Sequence, residues 1–430
     1  MPGLLELAER GNASWWVGVH AARDLLPENE LVELMRVCFK KALDNQSPIF
    51  PAKNVVAGAI RAVPDDEGRE RVLRAVAKGL SADQMAQLLV LALFGKNTWK
   101  LVDELGEAAQ AKYWSEVAPD LIGQSEADMN EGVDRLLKAE RPRAAFSFVR
   151  LQPEKLDAQV LFRLLSAMAT GGNDKTGTYR LQQWNVEQAF KHLNASPVLT
   201  RDQKAGLEFA YLEMLARRDN RADSYGIPNL ERYIEAHPEV FVQAVAWAYK
   251  RKDGGTDPVE FQVPEGKVKN MAERGYKLVE AIERIPGHND LDELETDRLA
   301  KWIATVRQGA AELSRADIAD ICIGKLMSHA PVGTDGVWPS EPVRQVIEDI
   351  QSDRMMEGAH TGVYNSRGVH WGGEGGDQER ESAEKYRKWG EALQFSHPFV
   401  SSKLLMELAR TYEREASRED TEAGIRRRLR

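Results

Sequence analysis

Two cysteines in 430 residues, Cys38 and Cys322, are too few for a disulfide framework or a four-ligand zinc site. Both sit in apolar helical patterns and are expected to be buried free thiols. No apolar run approaches the roughly eighteen residues that a membrane span requires. The longest, "LLVLALF" from Leu88 to Phe94, is far too short. The opening "MPGLLELAERGNASWW" lacks a basic segment followed by an apolar one, so no secretory leader is expected and the chain is read as soluble and cytoplasmic. Strand-like alternation is nearly missing: "EFQVP" around Phe261 is the best candidate, and Pro264 cuts it short.

Catalytic signatures are equally scarce. The sequence contains no HExxH, no GxSxG and no cysteine–histidine pair in a nucleophile-like context. "TGGNDKTGTYR" (Thr170 to Arg180) has Asp174 before Lys175 and follows a helical pattern, so it reads as an ordinary loop, not a phosphate cradle. The eight histidines are scattered, and His360, His370 and His397 do not share a helix face. Carboxylates in "HNDLDELETDR" read as solvated helix starts. No catalytic residue, cofactor or metal site is expected. A net charge of −9 disfavours a dedicated nucleic-acid binder, which would rely on neutralising phosphates.

What the chain does contain is apolar spacing of three and four along most of its length. Val268, Met271, Ala272, Gly275, Val279 and Ile282 share one face, and Trp302 to Ile323 forms two segments parted at Ser314. Ser81 to Gln84 and Thr200 to Gln203 have capping-box chemistry, with weaker versions at Ser125 and Ser314. Gly95 and Pro238 read as helix stops, and Asp377 as a cap. In "NLERYIEAHPEVFVQAVAWAYK", Leu230, Tyr233 and Ile234 face Val240, Phe241, Ala244, Val245 and Ala248, leaving Trp247 and Tyr249 on the flanks.

The expected fold is all-α: an irregular α-solenoid of stacked helix pairs, HEAT- or TPR-like, with degenerate repeats. A helix ending near Glu140, then one with Ala144, Ala145 and Phe148, illustrates the unit. A break around Gly254 to Pro264 would divide residues 1–253 from 265–430. The segment 358–376 holds seven glycines interleaved with Tyr364, Asn365, Arg367, His370 and Trp371. It is expected to be an ordered glycine-rich loop, either a recognition element or a strap over the helices.

"RADSYGIPNLERYIEAHPEVFVQAVAWAYKRKDGG" and "HTGVYNSRGVHWGGEGGDQERESAEKYRKWGEAL" resemble the C-terminal helical-repeat region of large, poorly characterised bacterial multidomain proteins, some of them antiviral-defence-like. The resemblance covers roughly Leu207 to Ser417. It implies an array following an N-terminal effector or nucleotide-binding module, which this chain lacks. The chain is then a fragment of such a polypeptide or a free-standing relative. Tyr225, Gly226, Ile227, Pro228 and Asn229 would mark a repeat junction; Tyr364, Asn365, Arg367 and Gly368 would mark the strap loop.

The function expected from these readings is a non-catalytic scaffold or sensor that recognises a protein partner, such as a viral protein or an effector module, and no membrane. The glycine-rich loop would assist. One alternative is a nucleic-acid-binding repeat using Lys250, Arg251 and Lys252, with Lys267 and Lys269 nearby. The other is an enzyme whose site is assembled from distant residues.

Overall fold

A computed structural model describes residues 13–45, 51–120, 125–172, 174, 179, 181–216, 224–366 and 375–429. It is 73% helical with no strand among the described residues, which excludes a sheet core. The predicted strand at Phe261 is a single 3₁₀ turn, Val259–Phe261, between two prolines that cannot donate to a ladder. Contacts divide the chain into two units, 1–199 and 200–430. The division falls at Leu199, not at the 254–264 connector. That connector is pinned inside the second unit, where Arg315 grips Asp257 at 2.6 and 2.8 Å and the Lys252 amide donates to Ser314 O at 3.0 Å.

The first unit contains α1 (Ser14–His20), α2 (Glu28–Asn45), α3 (Pro51–Ala62), α4 (Asp66–Val76), α5 (Ala82–Leu89), α6 (Lys96–Asp103), α7 (Glu107–Glu116), α8 (Glu126–Lys138), α9 (Pro142–Val149), α10 (Ala158–Thr170) and α11 (Gln183–Ala195). Both atoms of the Ser81–Gln84 capping box are in place, and Ser125 accepts from the Asp128 amide. Gly95 is not a stop. The helix ahead of it ends at Leu89, the apolar run continues as turns, and Gly95 is the N-cap of α6. The core gathers Phe94, Trp99, Trp114 and Phe148 edge to face, with Phe94 centred 5.0 Å from both Trp99 and Phe148.

The second unit contains α12 (Arg201–Ala210), α13 (Leu212–Leu215), α14 (Pro228–Ala236), α15 (Pro238–Ala248), α16 (Val268–Ala281), α17 (Thr296–Glu312), α18 (Ala316–Met327), α19 (Glu341–Ile350), α20 (Asp353–Ser366), α21 (Asp377–Leu393), the single turn α22 (Pro398–Val400) and α23 (Met406–Leu429). In both units the substantial packing contacts link helices at most three positions apart along the chain. The expected capping box at Thr200 and Gln203 is complete. Ser314 caps nothing: it takes a left-handed φ of 54°, and its hydroxyl donates to Asp253 at 2.6 Å. Asp377 is the first residue of α21, with Gly376 as its cap.

In the α14–α15 hairpin Leu230, Ile234, Phe241, Ala244 and Val245 are buried as expected, whereas Tyr233, Val240 and Ala248 of the expected faces are half-buried, like Trp247 and Tyr249. Small residues set the closest crossing. A Cβ on Gly324 would lie 1.9 Å from the Met355 carbonyl, and one on Gly358 would lie 2.0 Å from that of Ile321. Helices α18 and α20 therefore touch backbone to backbone. Cys38 and Cys322 are free and buried, and burial pushes both thiols up to about 11, which favours the neutral thiol at neutral pH.

Candidate functional site

Gly358 and Gly362 belong to α20, not to a loop, because here glycine serves close helix packing instead of a turn. Tyr364 and Asn365 lie in the last turn of that helix. The Tyr364 hydroxyl donates to Glu415 at 2.6 Å, and its ring leans on Tyr412, while Asn365 is exposed. Arg367, His370 and Trp371 lie outside the described residues.

The basic stretch is largely neutralised. Arg251 binds Asp253 at 2.7 and 2.9 Å and Ser314 at 3.1 Å, and Lys252 binds Asp317 at 2.7 Å. Lys250 is exposed without a carboxylate partner among the described residues, as are Lys267 and Lys269.

The structure instead builds a site on α14. Pro228 opens this helix at a position where a missing N–H costs nothing. No local side chain caps it. Glu208 of α12, fully buried, supplies the cap by accepting from the Leu230 amide, Asn229 Nδ2 and the Tyr225 hydroxyl, each at 2.7 Å. Burial pushes the Glu208 carboxyl above the usual glutamate range despite these donors. The Tyr225–Asn229 stretch is thus a helix entry anchored to α12.

One turn apart on α14, Glu231 and Glu235 point at the connector between α16 and α17. Glu231 accepts the amides of Glu283 and Arg284 at 2.7 and 3.0 Å. Glu235 Oε1 accepts the amides of Gly287 and His288 at 2.9 and 2.6 Å and meets His288 Nδ1 at 3.2 Å. The connector folds on itself. His288 and Leu294 form a single β-bridge, Asn289 Oδ1 accepts two amides, and Gly287 has φ 106° with the Leu299 amide where a Cβ would stand. Arg284 then joins Glu235 Oε2 at 2.7 Å to Asp292 at 2.5 Å, and Arg232 reaches Asp292 with both terminal nitrogens at 3.2 Å. Burial raises the Glu235 carboxyl, but Arg284 and the His288 amide outweigh it and hold the group below its ordinary range. Arg284 and Arg232 draw Asp292 down to about 2.

Between α14, this connector and α17 opens a cleft of about 880 Å³. Arg201, Arg232, Arg284, Arg298 and Lys301 line it against Glu235, Asp290 and Asp292. Glu235 and Asp292 are committed to amides and guanidiniums, whereas exposed Arg201 and Lys301 have no carboxylate partner among the described residues. Exposed Asp290 also has no cationic partner among the described residues, so the open charges of the cleft are two cations against one carboxylate, a balance that suits a carboxylate or phosphate group.

A second hollow, about 240 Å³, opens where α12, α14 and α15 meet, lined by Gly206, Phe209, Tyr233, Val240, Trp247 and Leu278 among others. Phe241, by contrast, is wholly core and packs edge-on against Trp302, whose indole donates to Ile234 O at 3.0 Å.

His288, Asn289, Asp290 and Asp292 fall in "HNDLDELETDR", whose carboxylates were expected to be solvated helix starts; Asp290 and Asp292 instead lie in the connector ahead of α17, and Asp292 is bound by Arg284 and Arg232. The available signal was a pair of glutamates four apart on α14 together with a Pro-Gly-His-Asn-Asp turn some fifty residues later. Comparison with protein-family models, curated proteins and solved structures finds no match to the chain.

Proposed function

We propose that the chain is a non-catalytic recognition protein, an irregular α-solenoid whose second unit captures a carboxylate-rich segment of a partner protein in the α14–α17 cleft. The solenoid is supported by packing contacts that stay within three helices along the chain in each unit, the pattern of stacked repeats. The observation that carries the binding role is the imbalance in the cleft: Glu235 and Asp292 are held by amides and guanidiniums, leaving Arg201 and Lys301 open against the one open carboxylate, Asp290, among the described residues. The cleft's volume falls in the range of binding sites, about 300–1,000 Å³. The resemblance to defence-like proteins is consistent with a sensor role.

Fluorescence anisotropy of a labelled hexaglutamate peptide tests this. Binding should weaken with added salt and fall about tenfold in the Arg201→Ala/Lys301→Ala double variant. Both side chains are exposed and unpaired, so folding is not at stake. Absence of hexaglutamate binding, or equal binding by the variant, overturns the reading.

A further inference from the structure

We infer, resting on that reading, that the site is bipartite: the hollow beside the cleft accepts one hydrophobic side chain of the same acidic segment. The two sites share their walls residue by residue. Arg201, Asn229 and Arg232 line the cleft, while their immediate neighbours Asp202, Leu230 and Tyr233 line the hollow. Adjacent Cα atoms are about 3.8 Å apart, and successive side chains on a helix diverge by about a hundred degrees. A peptide crossing α14 over half-buried Arg232 and Tyr233 therefore reaches both sites within a few residues.

The lining suits such an anchor. Phe209, Tyr233, Val240 and Trp247 are each only half-buried, and their apolar surface lies beside the cleft that holds the open charges of Arg201 and Lys301. At about 240 Å³ the hollow is smaller than a typical cofactor site, which starts near 300 Å³, and is suited to a single side chain. Aromatic-lined pockets that bury one anchor, ringed by polar contacts, dominate recognition energetics in protein interfaces. The occupant is thus a phenylalanine- or leucine-like residue a few positions from a run of carboxylates.

Gly206 supplies the test. It is exposed in mid-helix, lines the hollow, and a Cβ built there meets nothing within 4 Å. Gly206→Leu should fill the hollow without lowering the melting temperature, with Gly206→Ala as the control that fills little. The probes are fluorescein-labelled peptides with three glutamates, a Gly-Ser spacer of one to about six residues, and phenylalanine or alanine, in both orders. In the native protein, one spacing should bind the phenylalanine peptide about tenfold more tightly than its alanine twin. Gly206→Leu should abolish that preference and leave hexaglutamate affinity unchanged.

Equal binding of phenylalanine and alanine peptides at every spacing overturns the bipartite site, as does a preference that survives Gly206→Leu. If hexaglutamate binding still depends on Arg201 and Lys301 in that case, the acidic-segment reading stands and only the anchor falls. A phenylalanine preference without any dependence on Arg201 and Lys301 overturns both.

Discussion

Arg284 Nε donates to Glu235 Oε2 at 2.7 Å, across 49 residues of chain, and both side chains are only 16% exposed. This bond, with the amides of Gly287 and His288 on the other oxygen, fastens the α16–α17 connector to α14 and so shapes one wall of the cleft.

Glu235→Ala should therefore loosen the connector. Removing one partner of a largely buried pair and leaving two amides without acceptors is expected to cost about 2–4 kcal/mol in urea unfolding. Hydrogen exchange at the Gly287 and His288 amides should accelerate more than anywhere in α14. Unchanged exchange at those two amides would show that the connector holds itself.

The carboxyls of this unit should pull stability in opposite directions with pH. Glu235 and Asp292 have folded pKa values below their unfolded ones, so their contribution is complete above about pH 5 and is lost as pH falls through 4 toward 2. Glu208 has a raised folded pKa, so its contribution is complete below about pH 4 and fades as pH rises through the folded value. Asp292→Asn should flatten the acid limb of a denaturant-derived stability profile, and Glu208→Gln the slope above about pH 4.5. A Glu208→Gln profile parallel to that of the native chain would contradict the assignment.

Two glycine-to-alanine changes should have opposite signs. At Gly324 the new Cβ strikes the Met355 carbonyl of α20, so Gly324→Ala should destabilise by about 3 kcal/mol or more as the helices separate. At Gly206 the methyl meets open space in a helix interior, and alanine should add about 0.5–1 kcal/mol. Thermal melts of the two variants decide it.

The Lys250–Lys252 stretch should not bind nucleic acid. With Arg251 and Lys252 already paired to Asp253 and Asp317, replacing Lys250 and Lys252 by alanine should leave duplex retention in a gel shift unchanged at low and at raised salt. Salt-sensitive retention that the double variant loses would restore the nucleic-acid reading.

Tyr364 should behave as a packing residue. Tyr364→Phe removes the donation to Glu415 and should lower stability by about 0.5–1.5 kcal/mol, with hexaglutamate binding untouched. Loss of hexaglutamate binding in this variant would return recognition to the end of α20.

The helices themselves were legible because their causes are local. The capping boxes at Ser81 and Thr200, the Pro238 boundary and the buried faces of Leu230, Ile234, Phe241 and Val245 follow from residues within about four positions of one another. Gly95, Ser314, Gly358 and Gly362 were misjudged for the complementary reason. The first caps the following helix, the second answers to Asp253, and the last two lie in α20 against α18. The cleft was out of reach for the same cause. Glu235, Arg284 and Asp292 are ordinary surface carboxylates and guanidiniums in a string of many such groups. Only the packing of α14 against the α16–α17 connector shields Glu235 and Arg284 from water and assigns the three to one another, leaving Arg201 and Lys301 among the open charges of the cleft.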